Sequence, residues 1–206
     1  MKQRVVIGIS GASGAAIGLR ILERLKAMVD VESHLVISAA AEKTLSHEIG
    51  QDAVARARNL ADVCYPIDAV GSAIASGSFR TSGMIVAPCS MRTLAAIASS
   101  LSDNLLVRAA DVHLKERRRL VLLARESPLH LGHLRSMVQA TEMGAIIAPP
   151  VPAFYQLPAS VDDIVDAIAS RAIDLLELSA APQSEAWLGL PEPPEGSRPD
   201  GRAFRS

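Results

Sequence analysis

Five short stretches gather the side chains that can bind an anion or move a proton. The first is GISGASGAAIG, Gly8 to Gly18, which follows the apolar run RVVI and opens a helical pattern. A glycine-rich turn between strand and helix presents unpaired backbone N–H groups at the positive end of a helix dipole, and these suit a phosphate. Gly8, Gly11 and Gly14 are spaced G-x-x-G-x-x-G. That is neither the dinucleotide fingerprint nor a Walker A loop, since no Gly-Lys-Ser/Thr follows. Close helix–strand packing explains Gly14 and Gly18 without a ligand. PCSMRT places Ser90 and Thr93 at a helix start, where hydroxyls and N–H groups suit a phosphate or a polar ring edge. A plain N-cap by Ser90 fits that stretch equally well. Arg108, Asp111 and Lys115 fall at i, i+3 and i+7 and share one helix face. Such a stripe can reach an anion across a subunit boundary, although periodicity alone favours a solvated face. RESP puts Arg125 and Glu126 at a strand's carboxyl end, where charges form either a buried pair or part of a site. PPVPAFYQLP carries Phe154 and Tyr155, two of only six aromatic residues, which can wall an apolar substrate or anchor a loop.

Other reactive side chains read as structural. Cys89 has no histidine placed to activate it and reads as a small buried filler. His130 and His133 are three apart and lack a third ligand, so no metal is expected. Arg117, Arg118 and Arg119 read as a solvated helix end that offsets the dipole. Glu48 lies late in a helix, two residues before Gly50, where a carboxylate opposes the dipole and hints at another use.

The elements that must position these residues alternate between strand and helix patterns. RVVIGIS, VESHLVIS, GMIVAP, RLVLLAR and AIIAPP read as buried strands. Between them lie helical patterns, among them GAAIGLRILERLKAM, AAAEKTLSHEIG, DAVARARNLADVCYP (one short helix ending before Pro66), SMRTLAAIASSL and LLVRAADVHLKERR. LHLGHLRSMVQATEMG and VDDIVDAIASRAIDLLEL complete the set, the last with Ser160 as its N-cap. This alternation specifies an α/β fold, a doubly wound, Rossmann-like parallel sheet with helices on both faces. One domain spans 1–190, and a Pro/Gly-rich tail spans 191–206. Ligands of such sheets bind beyond the carboxyl ends of the strands, which is where GASG, Ser38, PCSMRT, RESP and PPVPAFY fall. A dinucleotide needs an acid at the end of the second strand, yet that strand ends in Ser38, with Asp30 and Glu32 at its start. A mononucleotide fits better than NAD.

A net charge of −1 over 206 residues gives no overall pull toward nucleic acid or anionic membrane. No apolar run reaches the roughly 18 residues of a membrane span, the opening residues lack a signal-peptide core, and the two cysteines show no disulfide or metal spacing. These features lead us to expect a cytoplasmic protein.

The stretches GISGASGA, ASGSFRTSGMIVAPCSMRTLA, RAADVHLKERRRLVLLARESPLHLGHLRSM and GAIIAPPVPAFY, in that order, resemble the UbiX-type flavin prenyltransferases and the related small subunits associated with phenolic-acid decarboxylases. The resemblance covers roughly residues 3 to 190. It implies an enzyme that takes reduced FMN and dimethylallyl phosphate, needs no metal, and joins the prenyl group to flavin N5 and then C6. The product, prenylated FMN, serves UbiD-type decarboxylases in ubiquinone synthesis or aromatic acid breakdown. It also implies a homo-oligomer, a dodecamer, with sites at subunit interfaces. Carried over by position, Gly11, Ala12, Ser13, Ser38, Ser90, Met91, Arg92, Thr93 and Arg125 match flavin contacts, and Glu48 matches an acid–base glutamate. Arg108, Lys115 and Glu126 match a phosphate cluster, Tyr155 and Arg171 match prenyl-phosphate ligands, and Trp187 matches a tryptophan closing the site. Ser13, Glu48, Lys115 and Glu126 are the expected catalytic group. Two other readings stay open. The FMN-dependent cysteine decarboxylases share the fold but carry PASANT where this chain has PCSMRT, and neither His34 nor His47 matches their early catalytic histidine. A non-catalytic flavin-binding subunit of a decarboxylase complex would not need the phosphate cluster.

Overall fold

A computed structural model describes residues 2–189. Six strands, β1 (Gln3–Ile9), β2 (Val31–Ile37), β3 (Val63–Tyr65), β4 (Gly83–Cys89), β5 (Arg119–Ala124) and β6 (Ile146–Ile147), form one sheet in the order β3-β2-β1-β4-β5-β6. Every neighbouring pair is parallel. Seven α-helices flank the sheet among the described residues: α1 (Ala15–Ala27), α2 (Ala39–Glu48), α3 (Ala53–Leu60), α4 (Met91–Ala98), α5 (Leu105–Lys115), α6 (Leu131–Glu142) and, after the last strand, α7 (Val161–Asp174).

Alternation along the buried strands divides the core into two layers. Val5, Ile7 and Ile9 of β1 join Ile85, Val121 and Leu123 under α1 and α7. Val6, Met84, Val86, Leu120 and Leu122 face α4 and α5 on the opposite side. Because both faces are covered, β1, β4 and β5 read as continuous apolar runs. The chain order reverses between β1 and β4, so their carboxyl ends open the crevice where ligands of this topology bind.

The structure corrects two expectations. The stretch read as one helix up to Pro66 breaks at Ala61, which turns extended, and Val63–Tyr65 becomes the edge strand β3. Asp62 anchors that break: its carboxylate accepts from the Ser33 N–H at 2.9 Å and from Lys26 at 2.9 Å. A β-branched residue and a tyrosine at alternate positions fit a pleated edge better than a helix. The second correction concerns the three arginines. α5 stops at Lys115, Arg117 turns left-handed (φ 56°), and Arg119 opens β5. Arg118 folds inward, with its side chain only 15% exposed, and donates to the carbonyls of Gly77 and Phe79 and to Thr81 Oγ1. It pins the loop before β4 and is not a solvated helix end.

α7 is fastened to α1 by charge. Arg20 reaches Asp162 at 2.7 Å and Asp166 at 2.8 Å, and Arg24 also pairs with Asp166. The Arg24 guanidinium, followed by that of Arg20, holds the Asp166 carboxyl below the usual carboxylate range. A depressed carboxyl contributes stability that is present above its unfolded pKa of about 4 and lost as pH falls through the folded value. Asp166→Asn should therefore lower stability at neutral pH by about 1 kcal/mol, a figure kept small because the site is partly solvated. The gap between wild type and variant should narrow below about pH 4 in chemical-denaturation curves.

Candidate functional site

The crevice between β1 and β4 is built by small and hydroxyl residues. Ser10, fully buried, donates its hydroxyl to the Pro88 carbonyl at 3.0 Å and accepts from the Ser90 N–H at 2.7 Å. It ties the ends of the two central strands together and fixes both adjoining loops. Sequence reasoning passed over it. The available signal was a serine closing an otherwise apolar strand, where an unpaired hydroxyl is costly. Gly11 lies against α2: a Cβ there would stand 2.3 Å from the Ala40 Cβ, so its need for glycine comes from packing. Gly14 caps α1 with a left-handed φ of 100°.

The N-terminus of α1 is held by Glu48. Its carboxylate accepts from the Gly14 N–H at 3.0 Å and the Ala15 N–H at 2.9 Å. Glu48 opposes its own helix dipole but lies on the positive end of another, which accounts for a glutamate at the end of α2. Exposed Ser13 immediately precedes these amides. The expectation that the first glycine loop itself cradles a phosphate thus meets a carboxylate of the chain already in place.

Two further helices start at the same edge. Ser38 caps α2, accepting from the Ala41 N–H at 3.1 Å. Ser90 caps α4, accepting from the Thr93 N–H at 3.3 Å while its hydroxyl donates to Thr93 Oγ1 at 3.1 Å. Met91 is half-buried against the α4 layer, and Arg92 pairs with Asp103 at 2.9 Å. Arg125 follows β5, its N–H extending the ladder to the Cys89 carbonyl at 3.0 Å, and its side chain is exposed without an ion-pair partner among the described residues. Glu126, also exposed, accepts from the Ser127 N–H. Burial pushes the Cys89 thiol up to about 12, so it stays protonated and inert, as a packing residue would.

Two other groups of expected site residues lie elsewhere on the chain. Arg108 pairs with Asp111 at 2.6 Å and donates to the Ala75 carbonyl. Lys115 pairs with Glu116 beside Gly77. α5 begins at the carboxyl edge, where the Leu105 N–H meets the Ile67 carbonyl, and runs back to the amino edge. Lys115 is therefore separated from Glu126 by the length of β5, about 20 Å, and one chain does not bring Lys115 and Glu126 together. The third group lines a cavity of about 370 Å3 between α7 and the ends of β5 and β6, walled by Leu123, Ala148, Tyr155, Ile168, Arg171 and Trp187. Tyr155 and Trp187 meet edge to face, with ring centroids 5.1 Å apart.

The His130 and His133 rings lie with centroids 3.6 Å apart, tilted by 30°, with the His130 ring accepting from the Gly132 N–H. Among the described residues, no cluster of three or more histidine, cysteine, aspartate or glutamate side chains is placed to hold a metal ion. Nor is any helix there long and apolar enough to cross a membrane.

A family model described as Flavoprotein matches residues 1–173. A flavin prenyltransferase UbiX from Thauera aromatica is 53% identical over 175 residues, covering 85% of this chain and 89% of the relative. The chain belongs to the UbiX flavin prenyltransferase family. Membership makes it an enzyme of the prenyl-transferring class. AnUbiX (PadA1), solved in complex with FMN and dimethylallyl pyrophosphate, matches with a TM-score of 0.87 at 46% identity, over 93% of this chain and all of that one (100%). A dodecameric FMN-dependent UbiX-like decarboxylase from Escherichia coli O157:H7 matches with a TM-score of 0.86 at 43% identity, over 91% of this chain and 100% of that one. The FMN-dependent cysteine decarboxylase TvaF, 13% identical with a TM-score of 0.63, shares the fold alone. The proline-rich stretch 191–206 lies outside the described residues.

Proposed function

We propose that the enzyme joins the dimethylallyl group of dimethylallyl phosphate to N5 and then C6 of reduced FMN, making prenylated FMN for a UbiD-type decarboxylase of aromatic or phenolic acids. FMN is the acceptor substrate in this reaction. The observation that carries the reading is the Glu48 carboxylate seated on the first amides of α1, beside exposed Ser13, at the switch point of the sheet. A crevice that served only to grip a phosphate would leave those amides to it. Here they hold a proton acceptor next to a hydroxyl, which suits proton transfer at a bound ring.

The remaining edge residues fit the flavin. Ser38, Ser90, Thr93, the first amides of α4 and the Arg125 guanidinium suit its phosphate and polar ring edge. Gly11 and Ala12 belong to the same first loop and complete the flavin-side edge. Bonding of prenyl C1 to N5 breaks the C1–O bond, the electron pair leaves with the phosphate, and N5 gives up its proton. A monophosphate leaves reluctantly, so Arg108, Lys115 and Arg125 stabilise the charge it acquires. Glu48, directly or through Ser13, takes the N5 proton. Ring closure adds a proton to the prenyl alkene and removes one from C6, and Glu126 supplies a second carboxylate at this edge. Tyr155 and Trp187 wall the allyl cation from water while Arg171 meets the phosphate.

Because Lys115 and Glu126 stand at opposite ends of β5, this chemistry needs a second copy to deliver Lys115. The protein then works as a homo-oligomer, a dodecamer, in the cytoplasm. The apolar face of α6, with Leu131, Leu134 and Val138 all largely exposed, supports burial against another copy. Anaerobic incubation with reduced FMN and dimethylallyl phosphate should give a flavin heavier by one prenyl unit in mass spectrometry. An unchanged flavin mass sinks the proposal and leaves a carrier of flavin.

A further inference from the structure

After α7 the chain reverses and lays Ser184, Glu185 and Trp187 along the cavity that holds Tyr155 and Arg171. One side chain holds this strap in place. The Asp174 carboxylate accepts from the Gln183 N–H at 2.6 Å, from the Ser184 N–H at 2.9 Å and from the Ser184 hydroxyl. Asp174 sits in the last turn of α7, where the dipole disfavours a negative charge. Its donors are all neutral, so charge pairing does not explain its presence. Consecutive backbone N–H groups directed at one carboxylate fix the strap's path more tightly than one contact, since charge-assisted bonds are short and directional. Little apolar packing competes with them: Ala180, Ala181 and Ala186 are exposed, while Gln183 and Ser184 are half-buried. Three residues beyond the latch, Trp187 lies edge-on to Tyr155. The strap is thus pinned at one end by Asp174 and at the other by an aromatic pair, with the cavity beneath.

We infer that Asp174 is a positioning residue for the prenyl-phosphate end of the site: it latches the strap so that Trp187 closes over Tyr155 and Arg171. Asp174 is not among the residues that wall the cavity, so it acts through the strap. This rests on the prenyl-transfer reading for its kinetic part, but the latch itself is read without turnover. Trp187 is the only tryptophan in the chain, so its fluorescence reports the strap alone.

In the full-length protein, Asp174→Ala should move Trp187 emission to longer wavelength and raise acrylamide quenching about twofold, as expected of a locally released segment. Asp174→Asn, which keeps one carbonyl acceptor, should fall between wild type and alanine. Ser184→Ala and Gln183→Pro remove donors from the strap side and keep the test open if the α7 variants fold poorly. With FMN binding unchanged, the KM for dimethylallyl phosphate should rise about tenfold, in line with the loss of hydrogen bonds to a charged group. Quenching and KM that stay at wild-type values in folded variants would overturn the latch. So would an equal loss of FMN binding, which marks general damage. A wild type that never prenylates FMN would remove the kinetic part and leave the fluorescence result standing.

Discussion

Glu48→Gln is expected to bind FMN normally and to turn over 100-fold or more slowly, within the range of about 10²–10⁴ for a positioned proton-transfer group. Glu48 is expected to play two roles with one carboxylate. As an acceptor it satisfies the Gly14 and Ala15 N–H groups at 3.0 and 2.9 Å and so fixes the first loop. Glutamine keeps an oxygen for those amides and preserves this scaffold. As a base, the carboxylate can take a proton, and glutamine cannot. Glu48→Ala removes both and should weaken FMN binding as well. The measurements are the FMN dissociation constant and the single-turnover rate of prenyl transfer. Equal rates for wild type and Glu48→Gln would reduce Glu48 to a helix cap supplied from α2. Ser13→Ala is the companion variant: a direct transfer from N5 to Glu48 tolerates it, and a relay through the hydroxyl does not.

The pair Glu48 and Ser10 shows where sequence reasoning reached and where it stopped. The strand and helix alternation was legible because each buried strand is an unbroken apolar run and each helix carries one apolar stripe. The carboxyl edge followed from topology alone, and with it the loops that carry Ser13, Ser38, Ser90 and Arg125. A carboxylate at a helix C-terminus raised a question, but which helix would receive it is a long-range fact: Glu48 and Gly14 are 34 residues apart. Ser10 was hidden for the same reason, as its partners, Pro88 in β4 and Ser90 just after it, lie 78 to 80 residues away. Arg118 misled because charge composition near a helix end looks solvated, whereas the carbonyls of Gly77 and Phe79 call the guanidinium inward. β3 was missed because three residues are too few to establish a period. Asp174 gave no signal at all, since its donors are backbone amides that every residue type carries.

The second large effect concerns the basic stripe. Lys115→Met should abolish measurable prenyl transfer while leaving FMN bound, because Lys115 ends α5 at the amino edge and Glu48 lies at the carboxyl edge of the same chain. The ordinary reading of such a loss is a missing phosphate partner. The decisive experiment mixes two dead chains. Co-assembled Lys115→Met and Glu48→Gln subunits form some sites with Glu48 from one copy and Lys115 from another. Random mixing gives about one site in four with both groups intact, so about a quarter of wild-type activity should return. If each site were built within a single chain, every site in the mixture would lack one group and no activity would return. Complementation thus decides between the two geometries from activity alone. It also separates a catalytic loss at Lys115 from misfolding, since a misfolded chain contributes neither its own Glu48 nor a surface for its neighbour. Recovery that disappears when the apolar face of α6 carries Leu134→Glu would connect the shared site to the assembly that face supports.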